Sequence, residues 1–202
     1  MALIIHASRR LGIEVFIESG RARAQSTWML STFLPDVLIH SVEMRDDADA
    51  RFGVERCAFL PNVTLHQGPG EVLLPHLASQ AAPRRTAILC DGPKGAAAVA
   101  IVEQCFQHPH VIVGFIHDMR RLDHGEPSPH RAAALSAFPD ARFSDDPRIT
   151  QNFAWMDQAV FAGGGSVGPL HEQEFGSYGP TVGVFCNPST SNKQSEIRRT
   201  TP

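Results

Sequence analysis

Five short apolar runs, with a helix-length segment between each and the next, recur through residues 14–116 and constrain this chain more than any other feature. They are residues 14–18 (EVFIE), 37–43 (VLIHSVE), 63–67 (VTLHQ), 86–90 (TAILC) and 111–116 (VIVGFI). Each is rich in β-branched residues, and most are continuous rather than alternating. A strand with one wet face alternates, whereas a strand covered on both faces does not, and the latter is the condition of a parallel sheet between helices. Residues 25–33, 46–59, 71–79 and the alanine-rich 95–107 have helical length and lie between or after the runs. Strand and helix alternating at this spacing predict βαβ units. The expected architecture is α/β, a Rossmann-like doubly wound, mainly parallel sheet.

Past Pro139 the texture changes. Asp145, Asp146, Pro147 and the glycines at 163–165 break the pattern. A short helix at 130–136 is expected, as are two late strands at 158–162 and 181–186, which would close the sheet as an antiparallel C-terminal pair. Residues 163–180 read as a glycine-rich loop. The expected organisation is a single domain over 1–187 and a polar, disordered tail over 188–202.

Apolar residues make up 43% of the 202, enough for a sizeable core. Charged residues are 19%, below the usual proportion of about a quarter, which agrees with a buried sheet and with a subunit interface in a homo-oligomer. The formal net charge is -3, with no block of like charges. That balance lacks the electrostatic footprint of a nucleic-acid or anionic-membrane partner. Cys57, Cys90, Cys105 and Cys186 form no CxxC pair, so neither a disulfide framework nor a zinc site is expected, and Cys90 and Cys186 read as small hydrophobes in apolar runs. The opening residues do not read as a secretory signal, and no apolar run approaches the roughly 18 residues needed to span a bilayer. A cytoplasmic protein is expected.

The residues with chemistry cluster just after strands, where open α/β sheets bind ligands. Glu18 and Gly20 end the first run, and Ala24 and Ser26 follow; glycine permits a tight turn and a ligand's close approach. The same stretch also reads as an ordinary strand-to-helix turn. Glu43 ends the second run and could accept both ribose hydroxyls of an adenosine cofactor, or be a solvated strand-end acid. Gly68-Pro69-Gly70 turns tightly into a helix. Asp91-Gly92-Pro93-Lys94-Gly95 holds a carboxylate and an amine in one constrained loop, for metal, base or charge-stabilising roles, or as a surface ion pair. His117-Asp118 ends the fifth run, suited to metal binding or proton transfer, or to a structural hydrogen bond and a cap. His124 and His130 read as plain loop histidines.

Taken in order, these sites resemble the class I S-adenosylmethionine-dependent methyltransferases, and most nearly the small-molecule O-methyltransferase group that includes catechol O-methyltransferase. Glu18, Gly20, Ala24 and Ser26 match the glutamate, two glycines and serine of the group's first turn, with Ala24 in the second glycine's place. Glu43 matches its ribose-binding acid. Gly68 and Gly70 match its adenine-side turn. Asp91 and Lys94 match its Asp-x-x-Lys. Its second acidic pair falls on His117 and Asp118, and a related cephalosporin hydroxylase-like branch carries His-Asp there. The likeness covers residues 13–120, and the family's helices ahead of the first strand have little counterpart.

The resemblance implies methyl transfer from S-adenosylmethionine to an oxygen of a small molecule. It implies cofactor contacts at Glu18, Gly20, Ser26, Glu43, Gly68, Gly70 and Asp91, a divalent cation (magnesium or manganese) on Asp91 and Asp118, and Lys94 or His117 as the catalytic proton acceptor. Two other readings stand beside it. One is a catalytically silent binding or assembly protein of this fold; the other is an NAD-dependent oxidoreductase, against which the missing GxGxxG counts.

Overall fold

A computed structural model describes residues 1–119, 122–123, 126–146 and 181–190. The order of elements is α1 (Ala2–Arg10), β1 (Val15–Ser19), α2 (Gln25–Phe33), β2 (Leu38–Glu43), α3 (Ala48–Cys57), β3 (Val63–Gln67), α4 (Gly70–Gln80), β4 (Thr86–Cys90), α5 (Ala96–Cys105) and β5 (Val111–Ile116). Then come β6 (Leu122–Asp123), β7 (Glu126–Pro127), α6 (Pro129–Ala137), β8 (Arg142–Phe143) and β9 (Gly183–Cys186). All five early runs are strands, and the four expected helices between or after them are present. No helix among the described residues is long and apolar enough to cross a membrane.

Seven strands form one sheet in the order β3-β2-β1-β4-β5-β9-β8. The first five are mutually parallel, and β9 runs antiparallel to both β5 and β8. This is the doubly wound Rossmann-like sheet with an antiparallel end that the sequence predicts. The partner of β9 is β8, which the sequence reading did not assign as a strand. Residues 158–162, the loop at 163–180, His124 and the tail beyond residue 190 lie outside the described residues. Residues 188–190 fold back on Asn187, whose carbonyl accepts from the Thr190 amide at 3.0 Å.

Continuous apolar strands make sense because both faces are covered. Val15, Ile17 and Val42 turn toward α4 and α5, meeting Leu74, Leu77, Val99 and Val102. Phe16, Ile39, Leu89 and Phe115 turn the other way, onto Ile4 and Ile5 of α1 and Leu30 of α2. Phe16 and Phe115 stack with ring centroids 6.2 Å apart. Helix α1 was not assigned from sequence, and it seals this second core. Strand β3 departs from the pattern: none of its residues is fully buried, because it forms the open edge of the sheet. Cys57, Cys90 and Cys105 are buried free thiols, while Cys186 is exposed, since β9 alternates.

Asn187 locks the antiparallel end to the parallel core. It is 1% exposed. Its side-chain amide donates to the carbonyls of Val111 at 2.8 Å and Phe106 at 3.1 Å, tying β9 to the α5–β5 connection. Asn187→Ala leaves those carbonyls without their donor, at a cost of about 2 kcal/mol. In a chain of this size the thermal midpoint should fall by roughly 4–8 °C. A scanning calorimetry trace that superimposes on wild type would show that the lock lies elsewhere.

Candidate functional site

In a doubly wound sheet a crevice opens where the strand order reverses, outside the carboxyl ends of the strands. Here that point lies between β1 and β4, which pair directly. The chain leaves β1 at Gly20, with φ +86°. A Cβ there would lie 2.9 Å from the backbone of Asp91 and of Gly92, so the turn after β1 passes the turn after β4 with no space for a side chain. Gly70, opening α4, is nearly as tight, with Gly92 O 3.0 Å from where its Cβ would be. Three turns thus converge into a bare backbone floor.

The first turn stays left-handed at Ala22 (φ 42°) and Ala24 (φ 57°). Glu43, at the end of β2, supports it: its Oε2 accepts from the Ala22 amide at 2.7 Å and its Oε1 from the Arg45 amide at 2.9 Å. Gly53 of α3 lies directly beneath, where a Cβ would meet Ala22 O at 2.2 Å and the Ala24 methyl at 3.5 Å. Gly53 is therefore required by the Ala22 carbonyl, while the Ala24 methyl lies at ordinary contact distance.

Two cavities flank this floor and share Gly20, Ala22 and Asp91. One, of about 380 Å³, runs along Glu43, Gly68, Gly70 and Asp91 to Lys94. The other, of about 460 Å³, lies between α1, α2 and β4, lined by Ser26, Met29, Leu89 and His117. The expected cofactor residues Gly20, Glu43, Gly68, Gly70 and Asp91 line the first, and Ser26 the second. Glu18 lines neither. It is 1% exposed and accepts hydrogen bonds from Thr27 Oγ1 and, at 2.8 Å, from Ser41 Oγ. Burial pushes its carboxyl above the ordinary range, against the pull of those hydroxyls.

At the β4–β5 end, four expected residues gather. The Lys94 ammonium bonds Asp91 Oδ1 and lies 2.6 Å from Asp118 Oδ2. His117 Nδ1 lies 2.9 Å from Asp91 Oδ1 and 3.0 Å from Asp118 Oδ1, though neither contact has the alignment of a hydrogen bond. Burial opposes the charge on His117, but the two carboxylates outweigh it and hold the imidazole at about 9. Lys94 is likewise raised by Asp118 and Asp91 against the effect of burial. Asp118 is held well below the usual carboxylate range, chiefly by His117 and then by Lys94, with burial opposing.

Three participants escaped the sequence reading. Gly53 was visible only as an isolated glycine inside a helical stretch. Arg45 lines the first cavity, its Nε 3.7 Å from Glu43 Oε1. His130, read as a plain loop histidine, starts α6 and packs on the Gly95 turn, where a Cβ would meet its ring at 2.3 Å.

No family of known proteins matches the sequence, nor does any curated protein. Solved structures do match the fold. An O-methyltransferase from Bacillus cereus, in complex with S-adenosylhomocysteine, superimposes with a TM-score of 0.57 at 15% identity, over 91% of this chain and 79% of that one. The O-methyltransferase TomG from Streptomyces achromogenes, in complex with S-adenosylmethionine, gives 0.54 at 17%, over 92% and 78%. The methyltransferase domain of a bacterial Hen1 protein gives 0.55 at 12%, over 92% and 95%. At these identities the shared property is the fold.

Glu18 offers a test of its burial. Its carboxyl is raised in the folded state, so the folded chain holds that proton more tightly than the unfolded chain does. Stability relative to Glu18→Gln should then decline as pH rises from the ordinary glutamate value of about 4.3 through the raised folded value, and level off above it. Urea midpoints of both proteins across pH 4–8 measure this. A constant gap would mean that Glu18 ionises freely.

Proposed function

We propose that this chain is an S-adenosylmethionine-dependent methyltransferase acting on an oxygen of a small molecule. The observation that carries the reading is the bare Gly20–Asp91 crossing between two cavities, one walled by Glu43 and Lys94 and the other reaching His117, with Asp91 shared by both. The solved structures of this fold with S-adenosylmethionine or S-adenosylhomocysteine bound support it. When bound, the donor supplies an electrophilic methyl on a sulfonium.

The chain's part is chiefly placement. The Glu43 carboxylate spends one lone pair on each backbone amide and keeps others for ribose hydroxyls. Gly20 lets the amino-acid portion lie against the main chain, Gly68 and Gly70 border the adenine, and Ser26 faces the neighbouring cavity. Lys94 and His117 are both held protonated by the aspartates, which suits them to stabilise an acceptor oxygen as negative charge develops. The proton-accepting role expected from sequence requires this cluster to open.

The divalent cation expected at Asp91 and Asp118 meets a mixed test. Donor atoms of Asp91, His117 and Asp118 lie within 4.8 Å of one another, a span that one ion could bridge. Lys94, however, already stands against both carboxylates, and His117 faces them with a nitrogen that they hold protonated. The set as folded, with Lys94 against both carboxylates, does not fit a divalent cation as well. All four cysteines are free, in keeping with a cytoplasmic setting.

Isothermal titration with S-adenosylhomocysteine, S-adenosylmethionine and NAD separates this reading from its rivals. Binding of the first two and not the third is expected; NAD binding alone would point to a dehydrogenase, and no binding to a silent relative of the fold. Glu43→Ala removes a charged acceptor whose hydrogen bonds contribute about 1.5–3 kcal/mol each, so S-adenosylhomocysteine affinity should drop tenfold or more. Unchanged affinity would take Glu43 out of the site.

A further inference from the structure

The loop after β4 sends Lys94 across to two carboxylates that come from different strand ends. The ammonium bonds Asp91 Oδ1 and lies 2.6 Å from Asp118 Oδ2. The imidazole of His117 covers the same pair, its Nδ1 2.9 Å from Asp91 Oδ1 and 3.0 Å from Asp118 Oδ1. Asp91 Oδ1, Asp118 Oδ1 and Asp118 Oδ2 therefore each face a nitrogen of the chain itself. Asp118 sits at φ 60°, and Gly95, next to Lys94 at φ +65°, lies against His130 of α6, so a turn stands beside each end of the contact.

A hard divalent ion binds two carboxylates by becoming the nearest positive charge to both. Here that position is filled by a cation tethered three residues from one of its own ligands. An entering ion would have to expel the ammonium, or hold its own charge at contact distance from it, and either lowers its affinity. A tethered ammonium also reaches its partners without the entropy loss of capturing an ion from solution.

We propose that Lys94 is the resident cation of the Asp91–Asp118 pair, that it excludes divalent metal ions, and that the site works metal-free. Exclusion rests on the geometry of the four side chains alone. The part Lys94 then plays, holding an acceptor oxygen by charge, rests on the methyl-transfer reading.

The test is manganese binding by the full chain, stripped with chelator and followed by the electron paramagnetic resonance signal of free Mn²⁺. Wild type should show no binding below about 1 mM, the weak end of protein sites for hard cations. Lys94→Gln, which keeps a polar side chain but removes the charge, should bind Mn²⁺ about tenfold tighter or better. Adding Asp118→Asn should abolish that gain, and Lys94→Arg should stay metal-free. Micromolar binding by wild type overturns the proposal, as does a Lys94→Gln protein that folds by circular dichroism yet binds no better than wild type. If Lys94→Gln does not fold, wild type and Lys94→Arg decide: absence of binding in both supports exclusion, and binding in either refutes it. Titration of S-adenosylhomocysteine with and without chelator forms a separate arm. Equal affinity is expected, and affinity that appears only with Mn²⁺ overturns metal-free function. Failure to bind under both conditions sinks the methyl-transfer reading and leaves the manganese result standing on its own.

Discussion

The turns after β1 and β4 pass so closely that Gly20 cannot carry a side chain at the crossing, and the rest of the site is arranged around that approach. Asp91 N donates to Ser19 O at 3.0 Å, extending the β1–β4 ladder one step past the strands. Gly20 then turns away toward α2 while Asp91 leads toward α5, because the strand order reverses here. Gly70 fits beneath Gly92 from the third side. A flat backbone floor results, with Glu43 at its margin on the β2 side and Asp91 and Lys94 on the β4 side.

Such a floor is conformationally expensive. Ala22 and Ala24 hold left-handed backbone angles, each costing about 1–2 kcal/mol for a residue with a Cβ. The offsetting contacts are local. The Ala24 amide donates to Arg21 O at 2.7 Å, and Glu43 takes the Ala22 amide. Glu43 is therefore both a wall of the cleft and a strut for the loop opposite. Gly53 completes the arrangement from α3, giving up its own side chain so that the loop can settle onto the helix. The carbonyl of Ala22 and the bare Cα of Gly53 form one packing solution shared between two elements.

Two carboxyl environments within a few residues of the floor show how differently the fold treats the same group. Glu18 sits among hydroxyls with little solvent, and desolvation raises it. Asp118 meets His117 and Lys94 and is pulled down. The difference lies in whether a cation of the chain is within contact distance. It separates a glutamate bonded to Thr27 and Ser41 inside the sheet from an aspartate paired with His117 and Lys94, although both follow or end a strand.

Continuous β-branched runs at regular spacing determined the strands, because only burial on both faces permits such runs, and parallel sheets supply that burial. The same runs placed Gly20, Glu43, Asp91 and His117 at strand ends, so the margin of the cleft was legible before any coordinates. Pattern did not reveal β8, only two residues long, or α1, whose role depends on the core beneath it. Nor could it show that Glu18 turns inward, since the side of the sheet to which a strand-end side chain points depends on neighbours far along the chain. Gly53 and Ala22 lie 31 residues apart, and their complementarity exists only once α3 lies under the first turn. Lys94 and Asp118 lie 24 apart, and nothing in their spacing says that an ammonium will span two carboxylates. The sequence by itself determined which residues stand at the carboxyl edge, because a strand's register is written locally. The tertiary structure alone decided which of them touch, because contact and charge depend on distance in space.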